Sequence, residues 1–167
     1  MPHPLSPLGI AHTAISLLPV VAGLYSFIRY QAIDTSRRSG QVYLAGLAVS
    51  VFTAFGLSST GSFNPGHVLG ILALIAAFGS LLVTRLSFLG RLRPYLATFG
   101  LSFSFFLTMI PGTVETLTRL PVANPLASGP ESPVVRAVLL TWVISLLVGF
   151  ALQARALRLR HRKATGN

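Results

Sequence analysis

The sequence predicts an all-α integral membrane fold of five transmembrane helices. The first four form a four-helix bundle from a duplicated hairpin, and the fifth is added to it. Three observations lead there. The chain of 167 residues is 52% hydrophobic and only 10% charged, where a soluble domain carries about 25% charge; its mean hydropathy is +0.71. Apolar windows at 8–28, 41–58, 65–84, 95–113 and 133–153 each approach the roughly 20 residues that a bilayer crossing needs. The basic residues gather in alternate connections, as the loops of a membrane protein do. Short connections leave no space for a soluble domain, so the chain reads as a single membrane domain ending in a basic cytoplasmic tail over 154–167.

Each window has its own logic. No Lys or Arg precedes the first, so the positive segment of a signal peptide is missing and the stretch is expected to stay in the bilayer. Within it, His12, Ser16 and Gly23 share one helical face, and Pro19 marks a kink or loosening point. The next three windows carry small-residue seams, which let membrane helices approach closely. They are Gly46, Ser50, Ala54 and Ser58 in the second, Gly66, Gly70, Ala73, Ala77 and Ser80 in the third, and Gly100, Ser104, Thr108 and Gly112 in the fourth. If the fourth helix continues through 114–120, Glu115 and Arg119 pair at i,i+4 and Pro121 stops it. The fifth holds Arg136 in its first turn and Trp142 at mid-span, a packing position. Segment 122–132 is Pro-rich and reads as a linker.

Charge placement gives the orientation. Arg29, Arg37 and Arg38 follow the first span; Arg85, Arg91 and Arg93 follow the third; Arg155, Arg158, Arg160, Arg162 and Lys163 follow the fifth. The other side holds only Arg119 and Arg136. The positive-inside rule then places the N-terminus outside and the tail in the cytoplasm of a bacterial inner membrane. Tyr25, Tyr30, Tyr43 and Tyr95 all fall at the cytoplasmic ends, where an aromatic belt is expected. The net charge of +10 is therefore a topology signal rather than a nucleic-acid footprint, and the tail is placed to touch anionic headgroups.

The two hairpins repeat their features in order. His12 and His67 open spans one and three, Arg29 and Arg85 close them, and Tyr43 and Tyr95 begin spans two and four. Both hairpins start on the same side, which makes this a parallel repeat about an axis along the membrane normal.

The segments HTAISLLPVVAGLYSF, RRSGQVY, GHVLGILAL and RPYLATFGLSFSFFL resemble the uncharacterised bacterial membrane family known as domain of unknown function 2306, over roughly the first 120 residues. In that family's pattern a His opens the first and third spans, and further His residues lie near the opposite face. His12 and His67 match the first pair. The second pair falls at Ser36 and Arg91, each 24 residues after its partner. The resemblance implies a fold with ancestral His pairs at both faces and no activity.

For chemistry, the chain offers few groups. It has no cysteine, which excludes thiolate metal sites and thiol nucleophiles. It has no phosphate-binding G-x-x-x-x-G-K-[ST], no G-x-S-x-G elbow and no H-E-x-x-H. Ionisable groups near spans are functional candidates by default, and His12, His67, Glu115 and Arg119 gather at the outer end. One reading makes His12 and His67 the ligands of one b-type haem or of a metal ion, in or beside electron transfer. Arg119 would then pair with a propionate, with Ser16 and Glu115 supporting the histidines. A quinone or proton role is a variant of this reading. The structural reading has each His bonding to a neighbouring helix. At the level of the whole protein, the alternatives are a non-catalytic accessory subunit that binds other membrane proteins or its own copies, and a small proton or solute transporter. Whether the chain is an enzyme stays open.

Overall fold

The computed structural model describes residues 7–56, 64–164 and 166. Among them are five α-helices and no strand: α1 (Pro7–Tyr30), α2 (Arg38–Phe55), α3 (Pro65–Val83), α4 (Arg93–Arg119) and α5 (Pro133–Ala164), with a 3₁₀ segment Ser87–Leu92 before α4. Proline stands in the first turn of α1, α3, α4 and α5, where its missing N–H costs nothing and its fixed φ suits a helix. Gly90 adopts φ +47° and ψ −120° inside the 3₁₀ segment, a conformation that L side chains avoid, and it turns the chain into α4.

α1, α3, α4 and α5 are long and apolar enough to cross a membrane. α2 does not reach that standard among the described residues. It begins on Arg38 rather than at 41, takes Gln41 into its first turn and has only 18 residues. Two helices outrun their windows. α4 passes through Pro111 to Arg119, and α5 continues to Ala164, so most of the basic tail is helix. Ser58 lies outside the described residues.

Packing is most extensive between α1 and α2, between α3 and α4, and between α4 and α5, with α2 on α3 and α1 on α4 joining the hairpins. The small residues account for the closest approaches. A Cβ on Gly46 would stand 2.9 Å from Pro19 Cδ, one on Gly100 would stand 2.1 Å from Ser80 Oγ, and one on Gly23 would stand 2.5 Å from the Phe105 ring. Gly112 differs: a Cβ there meets nothing within 4 Å, so the seam of α4 ends before it. Tyr43 departs from the aromatic-belt expectation. It is fully buried and its hydroxyl shares a 2.6 Å hydrogen bond with Ser104 Oγ, because α2 starts a turn earlier and carries position 43 into the core. The core around it is Leu47, Val51, Ala73, Ala77, Leu101 and Phe105.

Antiparallel alternation gives the bundle two ends. One gathers the starts of α1, α3 and α5 with the ends of α2 and α4 and holds His12 and His67. The other gathers Arg29, Arg37, Arg85, Arg93 and Arg155. Large apolar side chains line the outer faces, among them Leu17, Val21, Phe52, Ile75, Leu140 and Leu147, a surface suited to contact with a lipid bilayer.

Candidate functional site

At the histidine end, His12 and His67 converge on the last turn of α2. His12 Nδ1 is 2.9 Å from Thr53 Oγ1, and its Nε2 is 3.3 Å from Ser16 Oγ. Ser16 also receives a bond from Ser50 Oγ at 3.0 Å. His67 is buried and caps its own helix. Asn64 Oδ1 accepts from His67 N–H at 3.1 Å, and the Asn64 N–H donates to His67 Nδ1 at 3.2 Å, a reciprocal capping box. Nδ1 as acceptor leaves Nε2 as the donor, and it bonds the Ala54 carbonyl at 3.1 Å. The ring lies flat on Phe55, with centroids 4.7 Å apart. The His67 ring therefore spends both nitrogens inside the bundle.

Of the other residues expected around them, Glu115 and Arg119 bond to each other. α4 does continue through 114–120, and Arg119 Nε pairs with Glu115 Oε2 at 2.5 Å, but both side chains are more than half exposed. Arg136 pairs with Glu131. Segment 122–132 folds back rather than linking loosely: Ala127 N–H bonds the Leu117 carbonyl at 2.9 Å and the Ala127 side chain is buried. Among the described residues no group of three metal-ligating side chains occurs. His67 as placed offers no ring nitrogen to a haem or metal, because both are hydrogen-bonded and imidazole ligation needs a free one.

The larger feature lies toward the arginine end. α5 packs on α4, and a cavity of about 590 Å³ is lined by residues of α1, α4 and α5. Its walls are aromatic and aliphatic, from Phe27, Phe105, Phe106, Trp142, Leu146 and Phe150. Phe27 meets Phe105 edge-on at 5.2 Å, and Gly23 lets Phe105 sit against α1. Trp142 closes the upper end, where its Nε1–H donates to Thr113 Oγ1 at 3.1 Å. A polar shelf borders the cavity lower down. Gln153 is buried; its Oε1 accepts from Ser102 Oγ at 3.0 Å and its Nε2 donates to the Gln31 carbonyl at 2.8 Å. Gln31 holds φ +62°, which turns that carbonyl off the end of α1.

Below the shelf is a second cavity of about 510 Å³. It is lined by Arg29, Arg37 and Arg160, with Asp34 the only acid, and it shares Gln31 with the groove above. Asp34 belongs to an ordered turn. Its Oδ1 accepts from the Ser36 N–H at 3.0 Å and from Ser36 Oγ at 2.6 Å, and Oδ2 accepts from Arg37 Nε at 3.2 Å. Burial pushes the Asp34 carboxyl up, but these bonds and the Arg37 charge outweigh it and hold it below the ordinary carboxylate value. The Arg37 guanidinium lies 4.1 Å from the Tyr30 ring centroid and that of Arg29 lies 5.7 Å from it, within cation–π range.

Ser36 and Arg91 had marked the second face only by spacing. Ser36 serves the Asp34 turn. The groove had one sequence signal, Gln153, an uncharged polar residue that ends the fifth apolar window.

No protein-family model, curated protein or solved structure matches the chain.

Proposed function

We propose that this chain is a small inner-membrane protein that holds a bilayer amphiphile in the groove between α1, α4 and α5. The groove carries the reading: about 590 Å³ lies within the roughly 300–1,000 Å³ of ligand pockets, with apolar walls and a few fixed polar groups. Five crossings are part of the proposal. α2 bonds α1 at both ends, Ser39 to Ser26 at 2.9 Å and Thr53 to His12, so it shares about 21 Å of depth with a helix long enough to span. The arginine end faces the cytoplasm by the positive-inside rule, with the N-terminus outside. The duplicated hairpin accounts for the α1–α2 and α3–α4 pairing, and kinship with the family named above rests on sequence motifs.

For the histidines we propose a latch that holds the end of α2 between α1 and α3, since ligation at His67 would break two ring hydrogen bonds. An accessory role fits this reading better than transport. Proton-coupled carriers use carboxylates within the membrane, and of the three acids in the chain only Glu115 lies in a helix, at its exposed end.

Gly149→Phe tests the groove. Gly149 lines it, and a Cβ there meets nothing within 4 Å, so a bulky side chain starts from open space and fills the groove. Protein purified in mild detergent is expected to carry a stoichiometric amphiphile by mass spectrometry, and the variant to lose it while folding normally. Equal ligand content in both would remove the proposal. A visible spectrum on the same sample shows whether the amphiphile is accompanied by haem.

A further inference from the structure

We infer that the amphiphile is anionic: a membrane phospholipid whose acyl chain lies in the groove and whose phosphate sits in the arginine cavity beneath it. The inference rests on the groove reading and adds the ligand's class to it.

The two cavities adjoin. Gln31 belongs to both, and along α4 Leu101 lines the lower and Ser102 the upper, while on α5 their linings interleave, with Ala156 and Leu159 in the upper and Leu157 and Arg160 in the lower. An occupant that fills both is apolar above Gln31 and polar below it. The charge below is one-sided. Arg29, Arg37 and Arg160 line the lower cavity and Arg155 the mouth of the groove. The single carboxylate, Asp34, is already bonded to Ser36 and Arg37. Guanidinium groups match phosphate oxygens in planar, bidentate geometry. Cations at this depth, next to hydrocarbon, attract anionic headgroups. A neutral quinone or a zwitterionic lipid leaves this excess uncompensated. Tyr30 strengthens the case by receiving the Arg29 and Arg37 guanidiniums on its ring, which positions both.

Trp142 provides the measurement, because it is the only tryptophan in the chain and it lines the groove. The full-length protein is placed in phosphatidylcholine vesicles containing a small fraction of lipid brominated on its acyl chain, either phosphatidylglycerol or phosphatidylcholine. Quenching of Trp142 then reports occupancy. Brominated phosphatidylglycerol is expected to occupy the groove with at least about fivefold preference, roughly what one interfacial cation contributes. Arg160→Gln and Arg29→Gln are each expected to lower that preference about fivefold in protein that still folds. Gly149→Phe subtracts quenching by surrounding lipid, since it removes only the groove component. Equal groove quenching by the two lipids overturns the anionic assignment and leaves the groove reading standing. Quenching that Gly149→Phe does not change overturns the groove reading itself. Inorganic phosphate that abolishes the preference at millimolar concentration makes the lower cavity a site for free phosphate and overturns the lipid assignment. A preference that survives both arginine substitutions overturns the role of the cavity.

Discussion

The two ends of this bundle handle polarity in opposite ways. At the histidine end the polar groups close on one another: His12 on Thr53 and Ser16, His67 on Asn64 and Ala54, Glu115 on Arg119, Arg136 on Glu131. At the arginine end, charge exceeds its partners, and the helices leave space between them. Both arrangements use costly groups in or near a membrane. The closed network fixes helix positions, whereas the unbalanced one has capacity for something else. Conspicuous residues therefore point to a ligand site only when their bonding is incomplete.

The comparison breaks most directly at His67. If the histidine end is a latch, His67→Ala leaves the Ala54 carbonyl and the Asn64 N–H short of a partner and removes the ring stacked on Phe55. Asn64 is exposed and Ala54 half-buried, so the unsatisfied carbonyl costs at most the roughly 1–3 kcal/mol of a buried group, and a loss of about 1–3 kcal/mol is expected. It is read as a lower unfolding temperature in detergent, with amphiphile content per folded molecule unchanged. A variant that unfolds at the wild-type temperature but binds less ligand would reverse the roles of the two ends.

How much of this was legible in the sequence follows the same division. Helix number and alternation followed from hydropathy and loop charge, and the i,i+4 pair on α4 followed from spacing, because these depend on one helix at a time. Gly46 and Gly100 were read correctly as close approaches, whereas Gly112, with the same spacing, meets open space; a seam needs a partner helix at that height. His67 looked like a ligand because the sequence does not show that Asn64 caps α3 and that the α2 terminus presents a carbonyl beside it. Tyr43 reads as interfacial because the apolar window opens at 41, three residues after α2 begins. The groove was not legible at all. It depends on which residues of α1, α4 and α5 face one another, and only the position of Gln153, at the edge of an apolar run, hinted at it.

A smaller effect sharpens the contrast within the histidine end. Arg119 and Glu115 are 61% and 58% exposed, so the pair works in water, where an i,i+4 bridge contributes about 0.3–0.5 kcal/mol. Glu115→Gln is expected to shift the unfolding temperature barely beyond error at low salt and not at all near 0.5 M salt, where screening shortens the reach of the charge. A drop as large as that of His67→Ala would mean that the pair supports the His12 network and is not a surface bridge.

The smallest effect belongs to the arginine end and has a defined sign. The folded-state pKa of Asp34 lies below its ordinary value of 3.8. Its contribution to stability is therefore complete above that value and is lost as pH falls through the depressed folded value. Between pH 7 and 5 the 34–37 turn should keep its full hold on Arg37; below about pH 4 the hold should weaken. Protonation also removes the one carboxylate lining the lower cavity, which raises its positive charge as the turn loosens. Hydrogen exchange at the Ser36 and Arg37 amides, which bond Asp34 Oδ1 and the Asp34 carbonyl, follows this locally where global unfolding is insensitive. The expected result is protection that is flat to about pH 4 and then falls, with Asp34→Asn showing the low-pH behaviour throughout. Protection that instead rises on acidification would mean that the carboxylate opposes the turn. The anionic partner of Arg37 would then have to come from outside the chain.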